Sequence, residues 1–170
     1  TWYFVSRESQ VYAIQMGSDQ LSVTKQWSLV SDDERNDDWR ISGIQHTAVH
    51  AESGRLFVLM HQGAPETFQE PGTEVWVFDV QRGEKVQSIE LEELSIAIGV
   101  SPGAQPRLYS VDFILPMPLL AGAWIYLTEG NDGVLRRLQQ QVNLYDVDSG
   151  EHLRSIDGLP YGYLNMVLPW

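Results

Sequence analysis

The chain has 170 residues, 43% of them hydrophobic, with a formal net charge of −12 and no cysteine. That is too apolar for a disordered segment and long enough for a real core in one or two domains. The negative balance argues against nucleic acid and anionic membrane surfaces as partners and suits a basic partner or plain solubility. The lack of thiols excludes disulfides, thiolate metal sites and cysteine nucleophiles, and leaves the compartment unreadable from redox chemistry.

The chain opens on Thr1 and not on methionine, which fits removal of a leader or of a longer N-terminal region. Residues 2–5 and 10–14 alternate as strands of a hairpin around 6–9, and 25–29 forms a third short strand. Ser31 and Glu34 stand at capping-box spacing, which predicts one or two helical turns in an acidic stretch (Asp32, Asp33, Glu34, Asp37, Asp38). The glycine and closing glutamate of a calcium loop are not in place there, so a solvated acidic loop is expected. Residues 47–50 and 55–60 flank a Glu52-Ser53-Gly54 turn, and 61–72 reads as a long loop. Residues 95–100 and 107–111 form a further pair around Ser101-Pro102-Gly103. The apolar run 113–127 is broken by Pro116 and Pro118 and is shorter than the ~20 residues of a membrane span, so it is expected to be a loop segment. Residues 160–170 read as a last strand that closes a ring.

Two stretches repeat. VWVFDVQRGEKVQSI (75–89) and VNLYDVDSGEHLRSI (142–156) align without a gap and share Val75/Val142, Asp79/Asp146, Val80/Val147, Gly83/Gly150, Glu84/Glu151, Ser88/Ser155 and Ile89/Ile156. Each is a strand, a tight Asp-Val-x-x-Gly-Glu turn and a second strand. Aspartate accepts from backbone amides two residues on, and glycine supplies a positive φ. Arg55-Leu56-Phe57 in the earlier unit corresponds to Arg107-Leu108-Tyr109 in the later one. Four strands per unit, repeated, predict an all-β chain of antiparallel β-propeller blades of the YVTN/WD type. The expected division is a partial blade over 1–46, a blade over 47–94, a blade over 95–158 with an insertion near 112–141, and a closing strand over 159–170. Two to three blades do not close a ring, so further blades or other chains must cover the open faces and edges.

No hydrolase elbow, phosphate loop or dinucleotide fingerprint occurs. His46 and His50 are spaced so that a metal is conceivable, but no third ligand is evident. Glu90, Glu92 and Glu93 read as a solvated loop. No catalytic residue, cofactor ligand or metal ligand is nominated.

The segments SGRLFVLMHQG (53–63) and PGTEVWVFD (71–79), with WRISGIQ (39–45) and the hairpin of 146–156, resemble the heavy (large) subunit of methylamine and aromatic amine dehydrogenases. That resemblance implies the C-terminal blades of a seven-bladed periplasmic propeller. Such a subunit scaffolds a small, disulfide-rich light subunit carrying tryptophan tryptophylquinone, which oxidises a primary amine to aldehyde and ammonia and passes electrons to a copper protein. The chemistry then lies on the partner, and the propeller loops at one mouth supply the contact. Trp39, His61, Gln62 and Gly63, placed in loops, are the candidate contacts, with His61 first, although such residues also serve to pack a blade. Residues 111–141 are longer and more apolar than a blade connection and read as an insertion, a sequence irregularity or a partner-binding segment. The competing expectation is a non-catalytic protein-binding propeller module, or a truncated remnant without activity.

Overall fold

The computed structural model describes the chain except for residues 18–19, 43–45, 65–69, 115–138 and 161–170. The expected closing strand beyond Pro160 and most of the apolar run 113–127 therefore lie outside the described residues.

Strands β1 (Trp2–Val5), β2 (Gln10–Met16) and β3 (Leu21–Ser28) form a three-stranded antiparallel sheet. The 6–9 hairpin is present, with Ser9 at φ 64°. β3 starts earlier than the sequence pattern suggests. Its polar residues Ser22, Thr24 and Gln26 hide the strand signal, while the ladder to β2, with a bulge at Ala13/Ile14, holds it extended. Helix α1 (Asp32–Asn36) carries the expected capping box: Ser31 Oγ accepts from Glu34 N at 3.2 Å and Glu34 Oε2 accepts from Ser31 N at 2.8 Å.

The second sheet has eight strands. β4 (Trp39–Ile41) and β5 (Thr47–His50) pair with the two ends of β6 (Arg55–Gln62), followed by β7 (Gly72–Asp79), β8 (Glu84–Val100), β9 (Arg107–Ile114), β10 (Gln139–Asp146) and β11 (His152–Pro160). The sheet is continuous because β8 serves two units. Its first part pairs with β7 through Glu84 to Glu90, and its last part with β9 through Ser95 to Val100. Split at that crossing, the sheet is two antiparallel meanders, β5–β6–β7–β8 and β8–β9–β10–β11, each the size and order of a blade. The acidic stretch Glu90–Glu93, expected as a loop, lies inside β8. Ile89 and Leu91 are buried there while Glu90 and Glu92 are exposed, the period-two pattern of a half-buried strand, which ends at the exposed Glu93.

The first of these blades is covered on both faces. Leu56, Val58, Met60, Trp76 and Phe78 pack with Val11, Leu29, Val30 and Ile41, and with Tyr3, Val5 and Trp27 of the three-stranded sheet. Phe57, Leu59, Val75, Val77 and Ile89 pack with Ile98, Val100, Leu108, Tyr145 and Val147 of the second blade. Two-sided burial explains why 56–60 reads LFVLM without alternation. Each of these large side chains contributes about 1.5–3 kcal/mol by leaving water.

The repeated hairpins superpose in their chemistry. Asp79 Oδ1 accepts from Gln81 N (2.8 Å) and Arg82 N (2.9 Å), and Asp146 Oδ1 accepts from Asp148 N and Ser149 N (both 3.0 Å). Gly83 and Gly150 close the turns at φ 75° and 74°. The blades are tied to each other where Arg55 Nη1 donates to Asp148 Oδ1 at 2.9 Å and where His50 Nε2 lies 3.0 Å from the Gly103 carbonyl.

Candidate functional site

The candidate contact residues gather at one end of the first blade. Trp39 stands opposite Gln62, and Arg40 opposite His61, in the β4–β6 ladder. The chain entering β4 is stitched to the end of β6: Gly63 N donates to Asp38 O at 2.9 Å and Gln62 Nε2 to Asp37 O at 3.1 Å. Arg40 Nη1 holds the corner by donating to the carbonyls of Trp39 (2.7 Å) and Arg35 (3.1 Å).

The loop placement of these residues needs correction for three of the four. Trp39 lies in β4, and His61 and Gln62 lie in β6; Gly63 alone is outside a strand. The apolar run 56–60 extends two residues further because the ladder to β4 continues it, and that partner strand is too short to carry a periodic signal. His61 is 3% exposed. Desolvation pulls its pKa below the usual histidine value, and the Arg40 charge adds to this against the opposing pull of Glu70. It is a packed residue of the blade in this chain. Trp39 is half-buried, its ring 5.0 Å from that of Trp76. Gln62 is exposed.

Trp39 and Gln62 also line an open cavity of about 320 Å³ whose other walls include Glu74, Glu90, Glu92 and Glu93. Glu74 escaped the sequence reading. Its signal was its position two residues before Trp76, on the same face of β7, where its Oε2 accepts from Trp76 Nε1 at 2.8 Å. Glu74 and Glu90 face each other in the β7–β8 register, an unfavourable like-charge pair that the indole hydrogen bond offsets in part. Lys85 lies 3.6 Å over the Trp76 ring and pairs with Glu34. Burial alone would raise the Glu34 pKa, but hydrogen bonds from Lys85 and Ser31 hold it below the ordinary value. The surface is therefore one half-buried indole, Trp39, beside Gln62 and rimmed by carboxylates on strands, which suits contact more than bond-making.

His50 has both ring nitrogens on protein partners. His50 is 5% exposed, with Nδ1 2.7 Å from Ser53 Oγ and Nε2 on the Gly103 carbonyl, while the His46 carbonyl accepts from Leu59 N. Among the described residues no group of three or more His, Asp or Glu could hold a metal ion, and no helix is long and apolar enough to cross a membrane.

Two four-stranded antiparallel units packed face to face and linked by a shared crossing strand are blades of a β-propeller. The model of the methylamine dehydrogenase heavy chain family matches residues 2–114, and the chain belongs to that family. It is 33% identical over 129 residues to the methylamine dehydrogenase heavy chain of Paracoccus versutus, covering 76% of this chain and 25% of that protein. It is 29% identical over 102 residues to the heavy chain of Methylorubrum extorquens, covering 60% and 25%. The heavy chain of Methylophilus methylotrophus is 29% identical over 104 residues, covering 61% and 26%. The chain thus spans about a quarter of the length of these relatives.

Proposed function

We propose that this chain is part of the heavy-subunit scaffold of a quinoprotein amine dehydrogenase. The family match across both the three-stranded sheet and the first complete blade carries this reading. In it, the blades form a rigid platform for a light subunit that bears tryptophan tryptophylquinone and oxidises a primary amine to aldehyde and ammonia, and a copper protein takes the electrons. Such an assembly works in the periplasm. No residue of this chain is given to the cofactor or to the chemistry. Its contribution is to position the partner, and the strand-borne Trp39 and Gln62, with Gly63 beside them, are the contacts the geometry offers. The remaining blades of the ring pack on the faces this chain leaves open.

The test is capture of the tagged full protein from its source cells, followed by mass spectrometry and absorbance. Co-purification of a small disulfide-rich chain, with quinone absorbance that bleaches on adding a primary amine, is the expected result. Recovery of the propeller with no quinone-bearing chain would overturn the reading in favour of a non-catalytic binding module.

A further inference from the structure

Three strand pairs share one register. Val11 stands opposite Trp27 in β2–β3, Val75 opposite Ile89 in β7–β8, and Val142 opposite Ile156 in β10–β11. Two residues nearer the turn, Ala13 faces Lys25, Val77 faces Gln87 and Leu144 faces Arg154. Lys25, Gln87 and Arg154 thus hold one position of a repeat, and Trp27, Ile89 and Ile156 another. The first pair lacks the Asp-Val-x-x-Gly turn, so its ladder and not its sequence places it in the series.

In two of the three copies these positions do the same work. Lys25 Nζ donates to the Gln81 carbonyl, and Gln87 Nε2 donates to the Asp148 carbonyl at 3.4 Å. Each carbonyl lies two residues after the turn aspartate, Asp79 or Asp146. The apolar partner lies against the turn glycine: a Cβ on Gly83 would meet Trp27 Cγ at 3.0 Å, and one on Gly150 would meet Ile89 Cγ1 at 3.4 Å. The outer strand of one unit therefore seats the hairpin turn of the next. Exposure follows the contact. Lys25, Trp27 and Gln87 are half-buried and Ile89 is buried, whereas in the third copy Arg154 is exposed and Ile156 is 44% exposed.

We propose that Arg154 and Ile156 form the seat for the Asp-x-x-x-Gly turn of a further blade. The Arg154 guanidinium, a donor with no acceptor, holds the carbonyl two residues after that turn's aspartate, and Ile156 packs on its glycine. The seat demands glycine there on two counts, the positive φ of the turn and the apolar side chain set against it. The inference rests on the reading that further blades cover the open faces of this chain, and on nothing about a light subunit. A built-in control lies on the same strand. Val86, next to Gln87, is 49% exposed although the second blade packs on its own, so its counterpart Leu153 stays open when a further blade docks.

The test is thiol labelling of Ile156→Cys and Leu153→Cys, read peptide by peptide by mass spectrometry, in the 170-residue chain and in the full-length protein. In the chain alone both should label fast. In the full-length protein Ile156→Cys should label at least about tenfold more slowly, since a packed site is reached only by local opening, while Leu153→Cys keeps its rate. Ile156→Cys combined with cysteine in place of the next turn's glycine should form a disulfide under mild oxidation, as should the reference pair Ile89→Cys with Gly150→Cys. Fast labelling of Ile156→Cys in the full-length protein, equal slowing at both positions, or protection without the disulfide while the reference pair forms it would each overturn the seat. Absorbance of a co-purifying quinone chain is scored separately, so the light-subunit reading and the seat can each fail without the other.

Discussion

Asp79 and Asp146 show how far one carboxylate can be tuned by a turn. The amides of Arg82 and Ser149, first among the causes, pull the two pKa values below the ordinary aspartate value. A lowered folded pKa contributes stability that is present above the unfolded value of about 3.9 and is lost as pH falls through the folded one. Asp79→Asn keeps an amide-accepting oxygen but carries no proton to exchange, so its urea midpoint should change less than the wild type's between about pH 4 and about pH 2. His61 works in a neighbouring window. Burial disfavours its charged form in the fold, so as pH falls below about 6.5 the unfolded chain binds a proton first and stability declines towards the lower folded value. His61→Gln should flatten that part of the stability profile. If the slope persists in His61→Gln, another group is responsible.

The repeated hairpin allows a controlled comparison of two glycines with nearly the same backbone. Both sit at left-handed φ, so an alanine at either costs about 1 kcal/mol or more in strain. Their surroundings differ. A Cβ on Gly83 would stand 3.0 Å from Trp27 Cγ, pressing the three-stranded sheet away from the first blade, whereas on Gly150 its nearest neighbour is Ile89 Cγ1 at 3.4 Å, an ordinary contact. Gly83→Ala should therefore unfold at a lower temperature than Gly150→Ala, by a margin that Trp27→Leu abolishes. The hairpins themselves were legible because Asp, Gly and the alternating flanks are local signals. So was the α1 cap, where Ser31 and Glu34 satisfy each other within one turn. The extent of β3, the short β4 and the middle of β8 were not, because pairing with distant strands and not local pattern holds them extended. The candidate site shared that fate: Trp39 and His61 are set by the β4–β6 ladder, whose register no single stretch of sequence announces.

At the scale of the molecule, the described residues close the faces between the sheets and leave the outer face of the three-stranded sheet open. Trp2, Phe4, Met16, Leu21 and Val23 are 67, 57, 56, 68 and 59% exposed. Tyr3 and Val5, the alternate residues of β1, pack on the first blade, so Trp2 and Phe4 stand on the opposite side of the same sheet. β2 and β3 align Met16 with Leu21 and Ile14 with Val23, which makes the exposed residues neighbours in the ladder. A contiguous apolar sheet face of this kind has the same make-up as the faces that meet inside the structure, and isolated in water it drives association. The 170-residue chain on its own should accordingly bind a hydrophobic dye and self-associate in a concentration-dependent way. Leu21→Lys with Val23→Lys should reduce both while leaving the far-ultraviolet spectrum unchanged, because neither side chain contributes to the inner core. In the full-length protein, where the proposed remaining blades cover that face, the same pair should instead lower the unfolding temperature, since two buried charges would then lack partners. Self-association unchanged by the double variant would assign the contact to another surface, and a full-length protein indifferent to it would mean that no blade packs there.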